Sequence, residues 1–284
     1  SLTISPIRGK EGKVCWFMGM EEDISRRREL EKQVQQSILE LQASQDKLQE
    51  LNKQKNDFLG IAAHDLRGPL TNIKIISNLL QEQQLTETER QDFYSLINKV
   101  SGGMLDLIND LLSVTKIESG NISLRYEKVN VREFVEELSR LTRLIAEQKN
   151  IRLVLCIADD LQEAYFDKDR IAQVINNLLT NAVKFSPKGT QIVMQVSQEN
   201  ENLRVSVLDQ GPGIPTSQQP LLFKPFTRTE NRPTAGESST GLGLSICKKL
   251  VELHKGNVGV ESNPDGGSCF YFTIPKLDMP PKAS

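Results

Sequence analysis

The chain has 284 residues, 38% hydrophobic and 25% charged, with a net charge of −2. That composition suits a soluble protein of two compact domains, or one domain with extended helices, and gives no electrostatic reason to expect nucleic acid as a partner. No stretch approaches the ~18–20 apolar residues needed to cross a bilayer, and no signal peptide is legible. Ser1 is not a natural start, so the missing span does not describe a longer parent; the expected location is cytoplasmic, with membrane contact only through segments upstream of this chain. The four cysteines, Cys15, Cys156, Cys247 and Cys269, form no CxxC pair. Three of them fall in apolar runs, which predicts buried free thiols in a reducing compartment rather than disulfides or metal ligands.

In chain order, Leu2 to Ile7 alternates apolar and polar residues, Arg8 to Lys13 carries two glycines, and Val14 to Met20 is a second apolar run. This predicts two strands and a turn, marginal alone and so the end of a larger domain. Met20-Glu21-Glu22-Asp23-Ile24-Ser25-Arg26-Arg27-Arg28 then enters a helix. The pattern resembles the C-terminal end of a PAS sensor domain, with Ser25 where Thr is usual. From 29 to 57 there is no Gly or Pro, and Leu30, Val34, Leu41, Leu48, Leu51 and Phe58 share one heptad seam, interrupted by Ser37, Ser44 and Lys55. That is a coiled coil with weak points.

The helical pattern continues past Phe58 through Ala62, Leu66, Pro69, Ile73, Ile76 and Leu80, with Pro69 expected to kink it. The polar stretch Gln81 to Thr86 ends it. A second helix carries Phe93, Ile97, Val100, Met104, Leu107, Leu111 and Val114 in unbroken alternation of four and three, until Ser119-Gly120-Asn121 stops it. Two helices cannot bury such stripes alone, so two copies are expected to form a four-helix bundle. Beyond Ile122 the periods mix: helices are predicted at Val131 to Gln148, Arg170 to Phe185 and Leu244 to His254. Strands are predicted at Ile151 to Ile157, Ile192 to Val196, Leu203 to Leu208, Val258 to Glu261 and Cys269 to Ile274. This mixture suggests an α/β sandwich.

His64 is the first candidate for chemistry. Helical spacing puts Asp57, Gly60, Arg67, Gly68 and Thr71 on its side. A small, polar face argues against a core histidine. Gly60 and Gly68 cost the helix about 1 kcal/mol each relative to Ala, which open access for a bulky visitor would justify. Neutral imidazole offers a ring lone pair to a phosphoryl group. Asp65 is placed to take up the other ring proton, and Arg67 to steady phosphate charge. His254, at a helix end before Gly256, is expected to interact favourably with the helix dipole.

Four later clusters suit one nucleotide. In Asn176 to Phe185, Asn177, Asn181 and Lys184 share a helix face. Amide oxygens suit Mg²⁺ and an ammonium suits phosphate, although alone this reads equally as a polar helix face. Asp209-Gln210-Gly211-Pro212-Gly213-Ile214-Pro215 follows a strand; its carboxylate can accept an adenine amino proton, though a Gly-Pro turn alone is often only a turn. Leu222-Phe223-Lys224-Pro225-Phe226-Thr227-Arg228 offers two aromatics to pin a loop and an arginine for phosphate. Ser239-Thr240-Gly241-Leu242-Gly243-Leu244-Ser245 opens a helix, whose N-terminal amides make an anion site. Thr229 to Thr240 is polar and Gly/Pro-punctuated, as a mobile lid would be.

Phe58, His64, Asp65, Arg67, Pro69 and Leu70 match the H-box of the sensor histidine kinases of two-component systems, and the four clusters resemble the N, G1, F and G2 boxes of that family. Gly266-Gly267-Ser268 resembles its last Gly-rich box. The resemblance implies a HisKA dimerisation and phosphoacceptor hairpin followed by a HATPase_c domain, a Bergerat-type α/β sandwich that binds Mg-ATP. It implies autophosphorylation of His64 and transfer to an aspartate of a response regulator by a homodimeric protein histidine kinase. By the same resemblance Asn177 and Asn181 hold the metal, Lys184 contacts phosphate and Asp209 reads adenine. Phe185, Gly211, Gly213, Ile214, Phe223, Phe226, Arg228, Thr240, Gly241, Leu242, Gly243, Leu244 and Ser268 complete the nucleotide site, and His64, Asp65, Asn177 and Lys184 carry the chemistry. Gly68 stands where members that dephosphorylate their partner usually carry Thr or Asn, which argues against strong phosphatase activity and leaves kinase activity untouched.

Two alternatives remain. Related ATPases of the gyrase, chaperone or mismatch-repair type carry a Glu four residues before the metal-binding Asn. Here that position is Asn177, which cannot take a proton from water. A pseudokinase scaffold would signal by shape alone. The expected organisation is 1–25 the end of a PAS-like domain, 26–57 a signalling coiled coil, 58–120 the phosphotransfer hairpin, 121–276 the ATP-binding domain and 277–284 a flexible tail.

Overall fold

The computed structural model describes residues 2–21, 25–81, 85–119, 123–159, 161, 163–227, 233–234, 240–263 and 266–277. The turn expected at Asp23-Ile24, the stop at Gly120-Asn121, Arg228, most of the expected lid and nearly all of the tail lie outside these. The chain divides into two units, Ser1–Leu59 and Gly60–Ser284.

In the first unit, β1 (Leu2–Arg8) and β2 (Val14–Glu21) pair antiparallel from Leu2 opposite Glu21 to Arg8 opposite Val14. Gly12 takes φ 75° in the turn between them, a conformation glycine adopts without steric cost. Helix α1 (Ser25–Leu79) begins here. The seam residues Leu30, Val34, Leu41 and Leu48 are 53–70% exposed in the single chain.

In the second unit α1 continues through Pro69 as one helix. Helix α2 (Glu87–Glu118) starts at a capping box: Glu89 N donates to Thr86 Oγ1 and Thr86 N donates to Glu89 Oε2. Two orphan amides of the first turn are thereby satisfied. Of the predicted stripe, Leu107 and Val114 are buried, as are Ala62 and Ile76 of α1. Ile61, Leu70, Ile75, Leu96, Leu105, Ile108 and Leu112 remain exposed.

The rest is a two-layer α/β sandwich. Its elements run β3 (Glu127–Asn130), α3 (Val131–Gln148), β4 (Arg152–Ile157), β5 (Glu163–Phe166), α4 (Lys168–Phe185), β6 (Gln191–Glu199), β7 (Asn202–Leu208), α5 (Gly243–Leu253), β8 (Asn257–Ser262) and β9 (Ser268–Pro275). The five-stranded sheet has the order β4-β6-β7-β9-β8, with β4 and β6 parallel and the other pairs antiparallel. One face is covered by helices: α3 packs on β4, α4 on β7, and α5 on β8 and β9. Ile192, Met194 and Val196 alternate inward along β6, as a half-covered sheet requires. Helix α4 buries Ile171, Val174, Ile175, Leu178, Leu179, Ala182 and Val183; each of the larger side chains contributes about 1.5–3 kcal/mol. That apolar stripe fixes which face of α4 is left for polar residues. Strands β3 and β5, a separate antiparallel pair, were not anticipated from the sequence.

Asp167 caps α4, accepting from Arg170 N at 3.1 Å and from Arg125 N at 2.8 Å. Its own N–H donates to His254 Nε2 at 3.2 Å, while His254 Nδ1 donates to Leu250 O at 2.8 Å. With both nitrogens used and Tyr126 stacked at a tilt 5.6 Å away, His254 is a buried, neutral link between α4 and α5. This corrects the expected dipole interaction, which needs a charged ring. Burial lowers the His254 pKa from 6.5, against the opposing pull of Leu250 O and Asp167. The unfolded chain therefore takes up this proton first, so stability is held above about 6.5 and lost as pH falls below it. Thermal melts between pH 7.5 and 5.5 are expected to fall less steeply in His254→Gln, which keeps an acceptor but cannot titrate; equal slopes would sink the assignment.

Among the described cysteines, Cys247 and Cys269 are buried and free, but Cys156 is exposed. The expectation of burial fails there because Cys156 points to the opposite face of β4 from Leu153, which is buried.

Candidate functional site

His64 stands on α1 with its side chain 84% exposed, Nδ1 lying 3.3 Å from Oδ1 of Asp65, whose side chain is only 17% exposed. In the tautomer with hydrogen on Nδ1, that carboxylate accepts the proton and the lone pair sits on Nε2, in solvent. A Cβ added at Gly60 or Gly68 would meet nothing within 4 Å. Packing within this chain therefore demands neither glycine, and both leave the imidazole approachable.

The second feature is a pocket between α4, the strand ends and the start of α5. Of the predicted nucleotide residues it brings together Asn181, Lys184 and Phe185 from α4, and Asp209, Gly213 and Ile214 from the loop after β7. From the far rim come Thr240, Gly241, Gly243 and Leu244, with Ser268 from β9. Its empty space, open solvent at the mouth included, is about 990 Å³. Pro212, Leu222 and Thr227, which fall inside the predicted clusters but had no role assigned there, also line it, as does Phe270, which lies outside every cluster; a single apolar residue within a strand carries no local signal.

Other predicted residues stand behind the wall. Asn177 donates through Nδ2 to Gly243 O at 3.4 Å, so its amide oxygen keeps its acceptor capacity while its nitrogen ties α4 to α5. Leu242 is fully buried and offers the pocket no side chain. Gly211 donates its N–H to Asp209 Oδ1 at 2.8 Å. Phe223 is half-buried outside the lining. Phe226 adopts φ 58°, and its backbone sits 3.0 Å from where a Cβ at Gly241 would lie. Gly241 itself has φ 70°. The F-like and G2-like segments thus meet backbone to backbone at a point only glycine fits. Arg228 lies outside the described residues.

Asp209 is the most heavily anchored group. Its Oδ1 accepts from Gly211 N and from Ser268 N, and its carbonyl accepts from Asn263 Nδ2 at 2.8 Å. Burial pushes its carboxyl above the ordinary aspartate value, against those two backbone bonds. It is a fixed acceptor at the pocket floor.

At the rim, Thr240 Oγ1 accepts from Leu242 N at 3.2 Å and donates to Asp110 Oδ2 at 2.9 Å. Asp110 belongs to α2, which packs on α5. Nothing in the heptad of α2 singles it out. Beside α4, Lys149 Nζ donates to Val183 O, and Thr234 Oγ1 reaches Lys184 O and Ser186 O, fastening the chain between the F-like and G2-like segments to the end of α4. Among the described residues no three His, Cys, Asp or Glu side chains cluster to hold a metal. No described helix is long and apolar enough to cross a membrane.

Residues 54–120 match the His Kinase A (phospho-acceptor) domain, and residues 166–278 the histidine kinase-, DNA gyrase B- and HSP90-like ATPase. The adaptive-response sensory kinase SasA of Microcystis aeruginosa is 31% identical over 286 residues, covering 94% of this chain and 74% of that protein. Full-length ShkA in complex with AMPPNP superimposes with a TM-score of 0.59 at 26% identity, covering 78% of this chain and 46% of that one. The fold also matches ThkA in complex with the response regulator protein TrrA, at a TM-score of 0.61 and 24% identity over 97% of this chain and 75% of that one. The chain spans less than two thirds of the length of several curated relatives that it matches, between 18% and 64%.

Proposed function

This chain belongs to the histidine kinase family, and we propose that it binds ATP, phosphorylates its own His64 and passes the phosphoryl group to an aspartate of a response regulator. The observation that carries the reading is the pairing of an exposed His64, its Nδ1 met by Asp65, with a pocket that gathers Asp209, Asn181 and Lys184. Asp209 accepts the adenine amino proton, with Gly213 giving the ring close approach. Lys184 and the rim at Gly241 and Gly243 hold phosphate oxygens. The amide oxygen of Asn181, in the pocket lining, would hold Mg²⁺, which would supply neutralising charge to the triphosphate; that of Asn177, one layer behind on the same helix face, would have to reach past Gly243 to join it.

His64 Nε2 then attacks the γ-phosphorus. A P–N bond forms, the bond to the β–γ bridging oxygen breaks, and ADP leaves. Asp65 holds the Nδ1 proton as positive charge grows on the ring. Asn177 stands where a hydrolase of this fold class would need a carboxylate to activate water, which favours a delivered imidazole over a water molecule as nucleophile. The receiver-domain partner is carried over from the family.

We read residues 58–120 as the phosphotransfer hairpin and 121–276 as the catalytic domain of a cytoplasmic homodimer. The exposed stripe of Ile61, Leu70, Ile75, Leu105, Ile108 and Leu112 supports a second copy as its cover. The β1–β2 hairpin and the uncovered seam of α1 support 1–25 as the end of a PAS-like domain and 26–57 as a signalling coiled coil. Incubation with terminally labelled ATP tests the central claim. The label should map to the peptide carrying His64, survive base and be lost in acid; label on a hydroxyl or carboxylate, or none at all, would refute it.

A further inference from the structure

We propose that Asp110 of α2 is a latch that closes the pocket rim against phosphate, by placing a carboxylate on Thr240 where a triphosphate would bring its own charge. This rests on the reading of the pocket as an ATP site.

Asp110 Oδ2 accepts from Thr240 Oγ1 at 2.9 Å, and that hydroxyl accepts in turn from Leu242 N. The carboxylate is therefore one hydroxyl away from the amides that open α5, where helix geometry favours an anion. Burial pushes the Asp110 carboxyl up; the Thr240 bond pulls it down, Asp106 adds repulsion, and Lys184 attracts it. Thr240 and Lys184 both line the pocket, so the groups that steady Asp110 are groups a triphosphate needs. Each anion weakens the hold of the other, and by linkage the effect is reciprocal.

The consequence is mechanical as well as electrostatic. The latch ties the rim to α2, and at a rise of 1.5 Å per residue Asp110 lies about 12 Å further from the hairpin turn than the level of His64. Nucleotide binding, by displacing Asp110, frees the pocket to travel towards His64.

The test uses the full chain as Asp110→Asn, close in shape and without charge, and Asp110→Ala. Calorimetry measures binding of a non-hydrolysable ATP analogue with Mg²⁺ and, separately, of adenosine. The analogue should bind roughly tenfold more tightly to both variants, from removal of one like charge at close range, with adenosine binding unchanged. Initial labelling of His64 at subsaturating ATP should rise in proportion. Unchanged or weaker analogue binding, or equal tightening of analogue and adenosine, overturns the latch. Those outcomes with a wild-type chain that binds the analogue leave the ATP reading standing. A wild-type chain that binds neither ligand removes that reading and the latch together.

Discussion

His64→Gln is expected to lose all acid-labile phosphoryl labelling, whereas Asp65→Asn keeps the label but acquires it roughly 10²–10⁴-fold more slowly, the usual worth of a positioned acid–base group. The difference follows from the geometry on α1. His64 is the group that forms the P–N bond, and Gln has no nucleophilic nitrogen to replace it. Asp65 never meets phosphorus. Its carboxylate, mostly covered and 3.3 Å from Nδ1, selects the tautomer that leaves Nε2 reactive and compensates the charge that develops on the ring. An Asn there still offers an oxygen but no charge. Because Asp65 lies on α1 and outside the pocket lining, the KM for ATP should stay near the wild-type value while kcat falls. A wild-type rate in Asp65→Asn would show that the Nδ1 contact is incidental.

Gly267→Ala should weaken nucleotide binding by roughly 10²-fold or more, while Gly266→Ala should change it only a few-fold. Both glycines have nearly the same left-handed backbone, φ 91° and 92°, so each substitution carries a similar conformational cost of about 1–2 kcal/mol. Their surroundings differ. A Cβ at Gly266 meets nothing within 4 Å, whereas at Gly267 it would overlap the Asp209 carbonyl and stand 2.8 Å from Asp209 Oδ1. Asp209 cannot yield easily, since its N–H, carbonyl and carboxylate are all held by the chain around 263–268. The added methyl therefore displaces the group proposed to read adenine. Calorimetry of the two variants with a non-hydrolysable ATP analogue, alongside thermal melts, separates the two effects; equal loss in both would mean that backbone strain, not Asp209, sets the affinity.

Much of this architecture is written in local periodicity. The alternation in Val131 to Gln148 predicts the helix with the bounds that α3 has, and the five predicted strands fall within three residues of the sheet strands. Strands β3 and β5 escaped because Glu127–Asn130 holds a single apolar residue and Glu163–Phe166 does not alternate apolar with polar, so neither shows a period of two. The spacing of Asn177, Asn181 and Lys184 correctly puts them on one face of α4. It cannot show that Gly243, 66 residues later, takes the Asn177 amide. His254 is the same case: its partner, the Asp167 N–H, is 87 residues away, and no local pattern distinguishes a ring that meets it from one that faces solvent. Asp110 is legible only as an off-seam residue of α2 until α5 is brought against it. Motifs thus marked residues on and around the pocket, and non-local hydrogen bonds decided which of them line it and which stand one layer behind.

The exposed edge of the sheet makes the chain convenient to watch. Burial pushes the Cys247 thiol up to about 12 and raises that of Cys269, so neither offers much thiolate to an alkylating dye at neutral pH. Cys156 lies open on β4. In a Cys15→Ser background, a maleimide fluorophore should therefore settle on one position of the α/β sandwich, and a second dye introduced on α2 would report the distance between the two as nucleotide is added.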